Sequence, residues 1–254
     1  MNKSRMWNRE QLLVAFTLYT QIPFGRMHAR NPDIIKHAEL IGRTPSALAM
    51  KLVNIASLDP VITDSGRSGL KGSSKADKAM WIEMNSNWEN FWTESELVTT
   101  HLTSSIASYK SISENNVSYS AENKVITTTS RYGQSSFRKA VLSAHNERCC
   151  ITGIENTKLL IASHIIPWSK DATNRLNPSN GLCLSSLHDK AFDSGLLTIN
   201  EKYEVVLSSE LKNGKSPYHK SSFIEFEGKK IILPEKFSPN QDFLKYHRNN
   251  VFSY

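Results

Sequence analysis

The chain has 254 residues, 39% of them hydrophobic and 22% charged. These values lie near globular averages, exclude wholesale disorder or a fibrous architecture, and leave room for two domains with separate cores. A formal net charge of +7 favours a polyanionic partner, nucleic acid or an anionic membrane surface. No run approaches the apolar length of a membrane helix, and the opening MNKSRMWNRE has no apolar core of signal-peptide length, so the membrane reading falls away. The three cysteines, Cys149, Cys150 and Cys183, cannot form a disulfide framework and suit a reducing cytoplasm, the expected compartment.

In chain order, Asn8 with Gln11 makes a capping-box start, and Leu12, Leu13, Phe16 and Tyr19 recur at helical spacing, which predicts a helix over 9–20. Asn31-Pro32 and Thr44-Pro45 are cap-plus-proline starts for two further helices, with Gly42 as the stop between them. Two short helices about a Gly42-Arg43 turn suggest a helix-turn-helix, with Arg43, Ser46, Lys51 and Asn54 on the outer face of its second helix. A plain helical hairpin that touches nothing is the other reading of the same residues. The acid-free segment SGRSGLKGSSK offers Arg67 and Lys71 as contacts to phosphate, or is a solvated linker.

Met80, Trp81, Met84, Trp88, Phe91 and Trp92 predict a helix over 76–102, its aromatics serving as core. Composition then shifts to Ser, Asn and Thr. The expected domains are therefore 1–102, a helical DNA-recognition domain of helix-turn-helix or winged-helix type; 103–130, a Ser/Asn-rich linker; and 131–254. Within the last, 136–146 reads as a helix, 159–166 as a strand, 181–185 as a second strand and 186–193 as a short helix, so the fold class is α+β. This layout lets His164, Asn180 and His188 converge.

Ser163-His164-Ile165-Ile166-Pro167, Asn180-Gly181-Leu182 and the run from His188 to Gly195 resemble, in order and spacing, the three parts of an HNH nuclease motif. The resemblance covers roughly 131–252 and implies a C-terminal ββα-metal domain that hydrolyses DNA phosphodiester bonds with a divalent ion, Mg²⁺ or else Mn²⁺. It assigns His164 as general base, because a neutral imidazole can take the proton of the attacking water near neutral pH. Asn180 becomes the residue that ties the loop to the first strand, and His188 the principal metal ligand. Many relatives carry an acid or a histidine where this chain has Ser163, so Ser163, Asp189, Asp193 or water would complete the shell, Asp193 also being suited to close the helix end. No four-cysteine zinc knuckle is expected. A structural zinc on His164, His188, Cys183 and Cys150 is the alternative metal site.

Motif, charge and helix pair together point to restriction-type cleavage of foreign or modified DNA, by a homodimer, since one site handles one strand. Two alternatives stay open. One is a catalytically inactive DNA-binding regulator; the other is a nonspecific toxin or defence effector nuclease.

Overall fold

Capping residues decide where the first helices begin. Asn8 Oδ1 accepts from Gln11 N at 2.9 Å and Gln11 returns the bond to the Asn8 amide, which starts α1 (Arg9–Gln21). Asn31, Thr44 and Asp59 cap α2 (Pro32–Leu40), α3 (Pro45–Ala56) and α4 (Pro60–Asp64), each with proline at the first position. Ser74 and Asp77 form a second capping box at α5 (Lys75–Ser86). The helix expected over 76–102 is in fact two helices. Asn87 adopts φ −154°, ψ 89°, ends α5, and its side-chain oxygen accepts from Asn90 N at 2.9 Å at the head of α6 (Trp88–Ser111). The computed structural model describes residues 6–66, 72–111 and 125–254.

The chain forms two compact units, Met1–Ser136 and Phe137–Tyr254. In the first, α1 packs against α3, α5 and α6, and Trp88, Phe91 and Trp92 are buried in mutual ring contact. This aromatic set is core. Lys51, expected on an outer face, is 7% exposed, and its ammonium donates to both oxygens of the fully buried Asp77 at 2.8 and 3.0 Å. The same Asp77 carboxylate accepts from Ser74 N at 2.8 Å, so one cap and one buried charge satisfy each other. The Arg43 guanidinium is also engaged, donating to Gln11 and to the Met6 carbonyl and lying 5.0 Å over the Trp7 ring. Asn54 is half-buried, whereas Ser46 is exposed. Arg67, Lys71 and positions 112–124 of the expected linker fall outside the described residues.

The helix expected from 136 begins earlier: α7 runs Val125–Ala144, because serine and threonine lower helix propensity without breaking a helix. From Phe137 onward it belongs to the second unit. There β1 (Leu160–His164) pairs antiparallel with β2 (Gly181–Ser185), and α8 (Ser186–Asp193) follows at once and packs on both. A second antiparallel pair, β3 (Leu197–Ile199) and β4 (Val205–Leu207), extends the core. The helices α9 (Ser209–Lys212), α10 (Pro217–Ser222) and α11 (Gln241–Asn250) complete an α+β fold. Gly195, at φ +71°, ends α8 where an added Cβ would lie 2.1 Å from the Val251 carbonyl oxygen, so glycine alone fits there. Among the described residues no helix is long and apolar enough to cross a membrane.

Two predictions follow from these buried polar groups. Asp77→Ala leaves the Lys51 ammonium buried without its counter-charge, and should cost about 3–5 kcal/mol in urea unfolding. A loss under about 1 kcal/mol would contradict the pairing. Burial holds the imidazoles of His145 and His247 down to a pKa of about 4. An unfolded histidine titrates near 6.5, so the unfolded chain binds more protons in the window between those values. Stability should be complete above pH 6.5 and fall as pH drops toward 4; urea midpoints that stay level across that window would refute this.

Candidate active site

The ββα unit is held at its centre by Asn180, which is fully buried. Its side-chain oxygen accepts from Ile166 N at 2.8 Å, and its amide donates to the carbonyls of Ile166 and Asn174 at 3.3 Å each. Its backbone carbonyl accepts from Ile165 N at 2.9 Å. The chain therefore leaves β1 and returns to β2 in one registered crossing.

His164 stands at the end of β1, opposite Gly181. Its Nε2 lies 2.9 Å from the Arg175 carbonyl oxygen, and because a carbonyl only accepts, Nε2 carries the proton. Nδ1 then keeps a lone pair, and among the described residues nothing hydrogen-bonds to it. Burial lowers the His164 pKa below its usual value, with the Arg175 carbonyl and the Asp189 charge opposing, so the ring stays neutral near pH 7. This is the protonation state a general base requires.

His188, expected as the principal metal ligand, lies in the core with both ring nitrogens hydrogen-bonded. It is 2% exposed; Nε2 donates to the Ser222 carbonyl at 2.8 Å and Nδ1 accepts from the Ser185 hydroxyl at 2.8 Å. Both nitrogens are engaged, and the ring packs between Phe223 and Phe226. The pattern of α8 explains why: His188, Ala191 and Phe192 share the buried face at helical spacing, while Asp189 and Asp193, one turn apart, share another. From the sequence, both carboxylates are expected only as residues that complete the shell around His188; the helix period puts them together on a face that His188 does not share.

Asp189 and Asp193 line a cleft of about 410 Å³ together with Ser163, His164 and Trp168. Partial burial raises both carboxyl pKa values; the Asp189 charge raises Asp193 further, while the Ser163 hydroxyl and His164 restrain Asp189. Ser163 Oγ is buried without a well-formed hydrogen bond, close enough to favour the Asp189 charge. Two half-desolvated carboxylates beside an unsatisfied hydroxyl suit a hard divalent cation, with water and phosphate oxygens filling the remaining positions. Among the described residues no group of three or more His, Cys, Asp or Glu side chains is placed to hold a metal ion.

The alternative zinc set does not assemble. Both nitrogens of His188 are hydrogen-bonded, and Cys149, Cys150 and Cys183 are buried free thiols. Burial pushes the Cys183 thiol up to about 12 and raises Cys150 as well, which disfavours the thiolates that zinc requires.

Replacement of His188 by alanine should therefore destabilise the fold, by about 2–5 kcal/mol for a large-to-small change in a core. It should leave Mn²⁺ affinity of the folded protein unchanged in titration calorimetry. A large loss of affinity at full folding would restore His188 as a ligand.

Residues 149–200, which take in β1, β2, α8 and β3, match the family model of HNH endonucleases. No curated protein matches the chain. Among solved structures it is similar to a modification-dependent TagI restriction endonuclease, at 23% identity and a TM-score of 0.30, over 46% of this chain and 38% of that one. The similarity thus spans less than half of either protein. The chain carries an HNH endonuclease domain at residues 149–200.

Proposed function

We propose that the chain is a divalent-metal-dependent DNA endonuclease in which His164 is the general base and Asp189 and Asp193 hold the ion. The observation that carries this reading is the juxtaposition in one cleft of a neutral imidazole with a bare Nδ1 and a carboxylate pair. His164 Nδ1 takes the proton of the water that attacks phosphorus. Asn180 and the Arg175 carbonyl keep the ring aimed while it does so. A bound divalent cation would offset the negative charge that gathers on the phosphate and the leaving oxygen. Ser163 stands beside Asp189 as a hydroxyl that a metal-bound water or the ion itself can engage. Mg²⁺ is the ion proposed, Mn²⁺ its substitute.

DNA is the substrate that the excess of basic residues favours, and the Asp189–Asp193 pair supports an active enzyme over the inactive regulator. Restriction-type cleavage of foreign or modified DNA is the role we propose, by a homodimer that supplies one site per strand. The first unit is proposed as the recognition part, with Ser46, Arg67 and Lys71 as its contacts; Lys51 is withdrawn because its charge is spent on Asp77.

Plasmid DNA, methylated and unmethylated, should be cut by the wild-type protein with Mg²⁺ or Mn²⁺ and left intact with EDTA. His164→Ala should lose at least about 10²-fold in rate. Asp193→Asn should raise the Mn²⁺ concentration needed for half-maximal cutting. Discrete fragments would support sequence reading and a smear the effector role; an intact plasmid under every ion would overturn the assignment.

A further inference from the structure

We propose that Phe137 and Trp168 are positioning residues that hold the His164 imidazole in its working plane. The inference rests on the reading of His164 as the base. The single hydrogen bond from Nε2 to the Arg175 carbonyl anchors one point of the ring and leaves its plane to be decided by neighbours. Phe137 supplies a flat backstop: its ring is stacked on the imidazole with centroids 4.2 Å apart and planes 8° apart. Trp168 meets the same imidazole from the cleft side, at 5.6 Å and 81°. Stacked and edge-on contacts are both favourable aromatic geometries, and together they restrict rotation about χ2 of His164.

Each aromatic is itself held. Phe137 is 2% exposed and reaches His164 by passing over Gly181, the residue that faces His164 across the β1–β2 ladder. A Cβ on Gly181 would lie 3.0 Å from Phe137 Cζ and 2.4 Å from Val141 Cγ2, so the absence of a side chain at 181 is what admits α7 to this position. Trp168 is held by the Arg175 guanidinium, 4.9 Å from its ring centroid. Arg175 also provides the carbonyl that binds Nε2. Trp168, Arg175 and His164 thus close a ring of contacts in which the tryptophan steadies the segment that orients the base. Neither Phe137 nor Trp168 can exchange a proton at working pH, so any effect on the chemical step passes through His164.

The test uses the full chain with Phe137→Leu, Trp168→Leu and Trp168→Phe, assayed for kcat and KM on an oligonucleotide duplex. In parallel the ¹⁵N shifts of the histidine ring nitrogens are read at pH 8, where neutral rings report their tautomer. Both leucine variants should lose about 10- to 100-fold in kcat at unchanged KM, the scale expected for a reacting group displaced by about 1 Å. Trp168→Phe, which keeps an aromatic edge, should restore most of the rate. The His164 signals should move from the pure Nε2–H form toward a mixture, while those of His188 and His247 stay in place. Wild-type kcat and wild-type His164 shifts in the leucine variants would overturn the proposal, as would a fall in Tm with no change in either. If Phe137→Leu does not fold, Trp168→Leu decides, because Trp168 is only half-buried. If the wild-type protein cuts no DNA, the nuclease reading fails, and the ring-nitrogen shifts alone still decide whether these aromatics position His164.

Discussion

The buried amide of Asn180 is the constraint on which the cleft depends. Where a strand ends and the chain turns away, its backbone groups lose their ladder partners, and each buried group left unsatisfied costs about 1–3 kcal/mol. At the end of β1 the groups concerned are the amides of Ile165 and Ile166 and the carbonyl of Ile166, and Asn180 meets all three. Its second bond, to the Asn174 carbonyl, draws in the segment that holds Arg175. An aspartate could not donate, and a serine could not span both sides, so the amide is the residue type the position requires. Once the crossing is held, the Arg175 carbonyl falls within reach of His164, and the tautomer of its imidazole follows.

The same bonding pattern recurs at four histidines with different results. His164, His188, His219 and His247 each present Nε2 to a backbone carbonyl, which settles the tautomer in every case. They differ at Nδ1. Ser185 and Thr198 hydroxyls occupy that nitrogen in His188 and His247, and both rings become satisfied core. At His164 the Nδ1 lone pair has no partner among the described residues, and the ring borders a cleft that contains two carboxylates. His219 also leaves Nδ1 without a hydrogen bond among the described residues but does not line that cleft, so it is the open nitrogen together with the neighbouring carboxylates that sets His164 apart.

Much of this architecture was legible from local signals. The caps at Asn8, Asn31 and Thr44, the prolines after them, and the strand, strand, helix order of 160–193 each follow from residues within a few positions of one another. What escaped depends on partners remote in sequence. Lys51 looked like a surface cation because nothing nearby reveals Asp77, 26 residues on. His188 looked like a ligand because the motif names a histidine, although its period with Ala191 and Phe192 already placed it on the buried face. The split at Asn87 was missed because the apolar period runs on across the break and only the Asn87 side chain, accepting from the Asn90 amide, marks it. Phe137 carried no motif signal, since its role arises from the bare Gly181 strand opposite His164.

The distribution of charge bears on how a polyanion would approach. In the first unit some of the basic residues are engaged internally: Arg9 pairs with Glu83 and Glu94, Lys51 with Asp77, and Arg43 lies over Trp7. The two ion-paired cations add little to the field at the surface, because the opposite charge sits within a few ångströms. In the second unit Lys158, Lys170 and Lys190 are exposed on or beside the elements that form the cleft. Lys190 lies between Asp189 and Asp193 in sequence, and its charge holds both carboxyl pKa values down against the effect of burial. A net charge of +7 is thus a poor guide to where a phosphate backbone would bind until the paired cations are set aside. The cations that remain beside the cleft are the ones able to draw a phosphate toward His164, while the carboxylate pair inside would repel it until a divalent ion reversed the sign of the site.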